Sequence, residues 1–383
     1  GGAVVASQLL GERNQREACR SANQLMLITF VISVTIMVLS IVFRIGILRI
    51  MFGSIDNDVM ESASIYLWIT ALSYPFLALY NSCAALFRAM GNSRISMITT
   101  FGTNIINVIG NAICIYALHM GVVGVAVPTL ISRMFGAFAL IILLLDRHRE
   151  IHIKIKEMVP DFNMNKRILF IGIPSGLENS LFQLGRLLVV SIIATFGTVQ
   201  IAANAVANNL DSLGCIPGQA MNLAMITVVG RCVGARDYGQ VRYYTKKLLK
   251  ITYIITFAVN ATIILTLPYL LRIYNLSGDT LDLAAILVLI HNGCAILLWP
   301  LAFTFPNALR AANDVKFTMV VSIASTWIFR VVFSNILGKG LRWGAIGVWI
   351  AMIMDWICRI VFFVSRYISG KWQTKYIPSP SNE

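Results

Sequence analysis

Charged residues are scarce in this chain. Asp, Glu, Lys and Arg make up 13% of its 383 residues, about half the share that soluble domains carry. Hydrophobic residues make up 57%, and the mean hydropathy is +0.76. A Gly-x-x-x-x-Gly-Lys-Ser/Thr loop is missing, and the seven cysteines include no Cys-x-x-Cys pair. These absences argue against a soluble domain, an ATP-driven transporter and a disulfide framework.

What the sequence does contain is a series of apolar runs of roughly 20 residues or more, which is the length of a membrane-spanning helix. Such continuous runs are too long for the strands of a membrane barrel, so they predict helices. The ten predicted spans lie at about 22–48, 63–87, 95–119, 122–145, 167–196, 198–230, 249–272, 283–309, 317–337 and 344–365. The predicted fold class is therefore an all-α polytopic membrane protein.

Basic residues outnumber acidic ones, 31 against 17, and most of them lie in alternate connections between the predicted spans. These basic segments are 13–20, 88–94, 147–167, 231–250, 310–316 and the tail at 366–375. The positive-inside rule places such segments in the cytoplasm. This distribution, and not the net charge of +14, predicts a cytoplasmic C-terminus, and we expect a multi-pass protein of the plasma (inner) membrane. We expect a monomer in contact with the lipid bilayer and no nucleic-acid partner.

The sequence repeats itself at a nearly constant offset. Residues 10–14 (LGERN) match 233–237 (VGARD), 87–89 (FRA) match 309–311 (LRA), and 121–125 (GVVGV) match 344–348 (GAIGV). The offsets in residue number are 223 (233 − 10), 222 (309 − 87) and 223 (344 − 121). Because internal duplication is common in transporters that bind their substrate between repeats, the pattern favours transport.

The repeat also predicts the domain organisation. We expect an N-lobe at 1–146, a charged cytoplasmic linker at 147–166, a C-lobe of six helices at 167–368 and a cytoplasmic tail at 369–383. The counterparts of roughly 167–223 would lie before residue 1, so the N-lobe is expected to be truncated, without its first helix and most of its second. In the linker, His148 and His152 have the spacing of a metal-binding pair but no third ligand, so no metal site is assigned.

The order of these motifs resembles that of the multidrug and toxic compound extrusion (MATE) transporters. The resemblance rests on the repeated glycine, Arg-Ala and Gly-x-x-Gly motifs, together with residues 174–176 (PSG) and 200–206 (QIAANAV). It implies two pseudo-symmetric six-helix lobes facing each other around a central cavity. It also implies a secondary active exporter of lipophilic or cationic small molecules, working by alternating access as an H⁺ or Na⁺ antiporter. Beyond that coupling ion, no cofactor is implied.

Two other functions compete with drug export. A lipid-linked oligosaccharide flippase of the same broad superfamily would explain an arginine such as Arg330 facing a phosphate. An intramembrane enzyme is a remoter alternative, because it needs a nucleophile with a base, or converging metal ligands. His119 has no carboxylate or cysteine at helical spacing, and His291 has only Cys294, without a carboxylate, so we predict no enzymatic activity.

Ionisable residues inside predicted spans are costly to bury and are therefore candidates for function. The acids are Glu178, Asp211 and Asp355, and the bases are Arg133, Arg186, Arg330 and Arg359. Glu178 is the candidate coupling carboxylate, and its alternative role is an ion pair with an arginine from another helix. Asp355 and Arg359 are four positions apart, which predicts a structural pair. The sequence leaves open whether Arg330 neutralises Glu178 or Asp355, or meets an anionic substrate group.

Polar residues supply the remaining candidates. Asn104, Asn107 and Asn111 share one face of a predicted helix, where they line a pocket or hold helices together. The MATE resemblance implies that Asn107, Asn111 and Thr129 form a cation site, although Asn111 stands where the family often has an aspartate. The candidates for the substrate cavity are Asn104, Gln183, Asn208, Asp211 and Arg330, the last of which is the repeat counterpart of Asn107 (330 − 107 = 223).

Overall fold

The computed structural model describes residues 1–53, 56–154, 158–276 and 278–376, apart from the side chains of residues 51 and 52. This part of the chain is helical and contains no strand. The α-helices are α1 (Gly2–Gly11), α2 (Gln15–Val42), α3 (Arg44–Phe52), α4 (Asn57–Leu72), α5 (Tyr74–Ala89), α6 (Ser93–Ala112), α7 (Val123–Leu144), α8 (Phe162–Ala194), α9 (Thr198–Gly234), α10 (Tyr238–Ile273), α11 (Gly278–Trp299), α12 (Pro306–Ala311), α13 (Val315–Ser325) and α14 (Gly344–Ile368). Wider π-helical turns occupy Ile113–Ala117, Pro300–Thr304, Thr326–Phe333 and Asn335–Gly340.

The membrane spans predicted from the apolar runs are present. Within the described residues, nine helices are long and apolar enough to cross a bilayer, and a tenth span is formed by α4 and α5 together. Large apolar side chains such as Phe101 and Leu265 are 68% and 78% exposed, as expected where lipid replaces water around a helix bundle. The chain is a multi-pass membrane protein.

The span made of α4 and α5 is bent by 41° at Ser73. Pro75 explains the break, because proline has no N–H to donate and clashes with a helical turn before it. Ser73 Oγ donates a hydrogen bond to the carbonyl of Thr70 at 2.6 Å. Arg133 of α7 donates to the same hydroxyl through Nη1. The arginine predicted inside a span therefore holds a helix break, and among the described residues it has no acidic partner.

The chain divides into two compact units, the first at residues 2–169 and the second from Phe170 onward. In the first unit, α5 packs against α2 and α7, and its Leu86 and Phe87 are fully buried. In the second, α9 packs against α10 and α11 around a core that includes Leu210 and Leu287. The lobe boundaries predicted at 146 and 167 remain a prediction.

The segment predicted to be a charged cytoplasmic linker contacts the first unit at several of its described residues. Ile151 and Ile153 are buried, and the Ile153 amide donates to the Leu144 carbonyl at 2.8 Å. Gln24 of α2 donates to the Val159 carbonyl at 2.6 Å and accepts from the Asp161 amide at 3.1 Å. These contacts hold parts of the predicted linker against the first unit.

The sequence repeat is reproduced in the backbone. Arg13 and Arg236 both have positive φ, at 59° and 56°, and both precede a helix whose cap is polar. Asn14 accepts a hydrogen bond from the Glu17 amide, and Asp237 accepts one from the Gln240 amide. Both pairs are related by the repeat offset (236 − 13 = 223 and 237 − 14 = 223). Each motif therefore specifies the same tight turn and helix cap.

The Gly-x-x-Gly motifs also have one structural role in both units. Gly121 and Gly344 have φ values of 55° and 58°, which favour glycine. A Cβ on Gly124 would lie 3.1 Å from the Cys114 carbonyl oxygen, and one on Gly347 would lie 2.8 Å from that of Leu337. The second glycine therefore lets its helix approach the π-turn that precedes it. The two π-turns, at Ile113–Ala117 and Asn335–Gly340, are themselves repeat counterparts.

Candidate functional site

The first unit contains a chain of three polar side chains, which we call the first-unit polar cluster: Asn107 and Asn111 of α6 and Thr129 of α7. Asn107 Nδ2 donates to Thr129 Oγ1 at 3.1 Å, and Asn111 Nδ2 donates to Asn107 Oδ1 at 3.2 Å. Thr129 Oγ1 in turn donates to the Val125 carbonyl at 2.9 Å. Asn111 Oδ1 is buried without a hydrogen-bond partner, so the cluster retains one free oxygen acceptor.

The cluster brings together the three residues that the sequence assigned to one pocket. Its members are neutral, and the described residues include no group of three or more His, Cys, Asp or Glu side chains arranged for a metal ion. Asn104 lies one turn earlier on α6 but is exposed, and none of the hydrogen bonds in the described part joins it to the cluster. The arrangement offers amide and hydroxyl oxygens to a small cation, without a carboxylate of its own.

Glu178 of α8 forms a hydrogen-bonded ion pair with Arg310 of α12, between Oε1 and Nη2. Glu178 is 8% exposed. Arg310 also donates through Nη1 to Asn307 Oδ1 at 2.7 Å. The partner is thus the arginine of the repeated Arg-Ala motif, not Arg330, and the geometry is that of the alternative role named for Glu178. Gln183, further along α8, is exposed and does not join this pair.

Asp355 of α14 lies at the centre of a second buried group, the Asp355 network. Arg359 Nε donates to Asp355 Oδ1 at 2.9 Å, as the helical spacing predicts, and Arg330 Nε donates to Oδ2 at 3.2 Å. Ser325 Oγ also donates to Oδ1. The Arg330 guanidinium lies 4.8 Å from the ring centroid of Phe182, close enough for a cation–π contact. Two arginines share one carboxylate, so the network carries a surplus positive charge.

Asp211 of α9 pairs with His291 of α11, with Oδ1 and Nδ1 2.7 Å apart. Cys215 Sγ donates to the same carboxylate oxygen at 3.3 Å. His291 is 2% exposed, and the rings of Trp349 and Trp356 contact it edge-on, with centroids 5.3 and 4.8 Å away. The pair thus joins a buried imidazole to a half-buried carboxylate.

Sequence reasoning missed this pair. On its own helix His291 has only Cys294 at helical spacing, whereas the carboxylate that it contacts comes from α9. The signal available in the sequence was the position of His291 inside a predicted span. An ionisable residue there needs a partner, which can come from any neighbouring helix.

A cavity of about 60 Å³ lies within the second unit, between α8, α9, the Val315–Gly340 span and α14. Its lining residues are Arg186, Val189, Val190, Asn204, Asn208, Arg330, Ser334, Val348, Trp349 and Met352. The cavity thus brings together Asn208 and Arg330, two of the predicted substrate-cavity residues. Asn208 Nδ2 donates to the Asn204 carbonyl, and Asn204 Oδ1 accepts from Trp349 Nε1 at 3.0 Å.

Membrane-spanning helices that bury ionisable and polar side chains define a polytopic protein of the transporter class. A sequence model of the MatE family matches residues 1–113 and 174–336, and the chain belongs to this family. The resemblance to MATE transporters is thereby confirmed, and the protein is a transporter, not an enzyme.

Known relatives cover most of the chain. A protein of Bacillus subtilis (strain 168) described as "Uncharacterized transporter YisQ" is 26% identical over 98% of this chain and 83% of its own length. A Thermotoga maritima protein described as "Probable multidrug resistance protein NorM" is 26% identical over 85% of this chain and 71% of its own length. The solved outward-facing structure of a multidrug resistance MATE family transporter has the same fold. Its TM-score is 0.90 at 22% identity, covering 98% of this chain and 84% of that one.

Proposed function

We propose that the protein is a secondary active exporter of lipophilic small molecules, driven by an inward gradient of H⁺ or Na⁺ through alternating access. Membership of the MatE family carries this proposal, and the name of the Thermotoga relative supports drugs as substrates. In this proposal a cation enters from outside, changes the balance between two conformations and is exchanged for a molecule that leaves.

The two candidate coupling ions would use different residues. Na⁺ is held by oxygen ligands, and the first-unit polar cluster offers a free one at Asn111 Oδ1. A proton needs a group that changes its protonation, and our candidate is His291, which is buried and contacts Asp211. Because the Na⁺ candidate and the H⁺ candidate are different residues, each coupling ion can be tested by its own substitution.

The gradient experiment tests the proposal as a whole. The full-length protein is reconstituted in liposomes, and the liposomes are loaded with a fluorescent lipophilic dye such as ethidium. Dye movement across the membrane is followed after a pH or a Na⁺ gradient is imposed. We expect dye to move against its own gradient when one of the two ion gradients is present and to stop when an ionophore collapses it. Dye movement that ignores both gradients would overturn the antiport mechanism.

The flippase remains the second candidate within transport. The cavity beside Arg330 and Arg186 is the feature that favours it, because a lipid-linked sugar carries phosphate. The names of the relatives favour drug export. Failure to expel any dye from cells that lack their own exporters, with the protein present in the membrane, would leave the flippase as the better interpretation.

We also propose the plasma membrane as the location, with a cytoplasmic C-terminus, because the tail and alternate connections are basic. Alkaline phosphatase fused after Tyr376 should be inactive, while the same enzyme fused after Lys339 should be active. The reverse pattern would invert the topology.

A further inference from the structure

Around Asp355 and the adjacent cavity, arginines outnumber carboxylates. Asp355 is shared between Arg330 and Arg359, and Asp211 pairs with His291. Arg186 lies in a membrane-spanning helix, and no ion pair of the described residues includes it. An arginine in a span faces a cavity or a partner, because lipid does not solvate it. The surplus charge therefore points to an anion that is bound there during the working cycle.

The cavity beside these arginines is the repeat counterpart of the first-unit polar cluster. Arg330 corresponds to Asn107, Ser334 to Asn111 and Met352 to Thr129, each at the same offset in residue number (330 − 107, 334 − 111 and 352 − 129). All three counterparts line the cavity. Duplication has thus placed equivalent sites in the two units, and an arginine has replaced the neutral amide in the second.

Ser334 provides an independent sign of a ligand. Its side chain is fully buried and lines the cavity, yet its hydroxyl has no hydrogen-bond partner. A buried polar group without a partner is destabilising, and a serine hydroxyl can donate to an oxyanion. The counterpart atom in the first unit, Asn111 Oδ1, is also unpartnered, but it can only accept. The two sites therefore differ in the sign of the charge they suit.

We propose that this cavity binds an oxyanion, a carboxylate or a phosphate, carried by an amphiphilic organic molecule. Arg186 and Arg330 would supply the charge, and Ser334 a hydrogen bond. A volume of about 60 Å³ is that of about two water molecules, which suits one such group and not a whole drug. Trp349 and Met352 form an apolar wall for the attached hydrocarbon. The biological role of this site rests on the proposed transport function, but the binding itself is measured without transport.

The test uses three probes with one aromatic scaffold: 2-naphthoate, the neutral 2-naphthamide and the cationic 2-naphthylmethylammonium. Binding to the purified full-length protein in dodecyl maltoside is measured by titration calorimetry, with no ion gradient. We expect naphthoate to bind about tenfold more tightly than the amide, since hydrogen bonds to charged groups are stronger than neutral ones. Equal affinity, or tighter binding of the ammonium probe, would overturn the inference.

Two variants with matched controls locate the site. Arg186→Gln should weaken naphthoate binding about tenfold and Ser334→Ala about threefold, with naphthamide binding unchanged. Arg342→Gln controls for the loss of one exposed positive charge, and Ser322→Ala for the loss of a buried, unpartnered hydroxyl outside the cavity. Both controls should bind naphthoate normally. Thermal unfolding of each variant separates lost binding from lost folding, and a folded Arg186→Gln protein with full affinity would contradict the proposal.

The same oxyanion chemistry could come from a lipid headgroup or from a soluble molecule. A short-chain phosphatidylglycerol that displaces naphthoate would identify a lipid source, and naphthoate binding that resists it would identify a soluble one. Both outcomes support an oxyanion site. Equal binding of charged and neutral probes would contradict the oxyanion site but not the proposed export. Failed dye export would contradict the proposed export but not the binding result.

Discussion

At the residue scale, the contacts of Glu178 narrow the roles left open by the sequence. Its carboxylate is buried and paired with Arg310, which in turn contacts Asn307. A carboxylate that changes its protonation during transport must lose such a partner in one conformation. We therefore expect the loss of the Glu178 charge to lower the stability of the fold.

We predict that Glu178→Gln lowers the free energy of unfolding by about 2 kcal/mol, below the value for a fully buried pair because the arginine is partly exposed. Expression level and thermal unfolding of the purified protein measure this loss. Glutamine keeps the side-chain volume but leaves the Arg310 charge unpaired.

The control is the double variant Glu178→Gln with Arg310→Gln, which should recover part of the loss because no charge is left unpaired. Normal stability of Glu178→Gln together with abolished efflux would contradict the structural role and return the residue to coupling.

Among the buried ion pairs, only the one within a single helix was predicted from residue spacing. Asp355 and Arg359 are four positions apart, so their contact followed from helical geometry. The contacts of Asp211 with His291 and of Glu178 with Arg310 join helices that are distant from each other in the sequence. Such contacts depend on how helices pack, which a single sequence does not specify.

At the element scale, the Gly-x-x-Gly motif was visible in the sequence, but its purpose was not. The structure shows that its second glycine lets a helix touch the backbone of the preceding π-turn. The apolar run at 63–87 predicted one continuous span, and the bend at Ser73, close to Pro75, appeared only in the structure. In both cases the sequence shows the residue itself but not the backbone that packs against it.

We predict that Gly347→Ala destabilises the protein by about 1–3 kcal/mol, the usual cost of forcing an extra methyl into a packed site. The added Cβ would lie 2.8 Å from the Leu337 carbonyl. Thermal unfolding and membrane expression are the measurements.

Gly340→Ala is the matched control, because the nearest atom to its added Cβ lies 3.9 Å away. The control should be close to neutral. Equal effects of the two substitutions would show that the close approach of helix and π-turn is not what selects glycine at 347.

At the scale of the whole molecule, duplication explains what the sequence could predict. The repeat offset predicted equivalent helices, and the turns, caps and π-turns of the two units do recur at that offset. The MATE resemblance, not the offset, grouped Asn107, Asn111 and Thr129, which hydrogen bonds join in the structure. Function, however, depends on where the copies differ, as at Asn107 and Arg330. The outcome of such differences depends on tertiary partners, so the Asp355 network and the cavity beside it required the structure.

Coupling is also a property of the whole molecule, because ion binding in one place must change transport elsewhere. If protons drive export, His291 is the group we expect to carry them. Its contacts are with Asp211 of α9, Asn292 of α11, and Trp349 and Trp356 of α14. Cys215 of α9 in turn donates to Asp211.

We predict that His291→Gln reduces export driven by a pH gradient about tenfold or more, because glutamine can hydrogen-bond to Asp211 but takes up no proton near neutral pH. Export driven by Na⁺, where present, should persist in this variant and fall instead in Asn111→Ala. The proteoliposome dye assay measures both, with the amount of inserted protein and its thermal unfolding checked for each variant. His119→Gln, in an exposed turn, should behave as the unaltered protein. A folded His291→Gln protein that still exports dye at the full rate under a pH gradient would exclude this pair from coupling and leave the first-unit polar cluster as the site to examine.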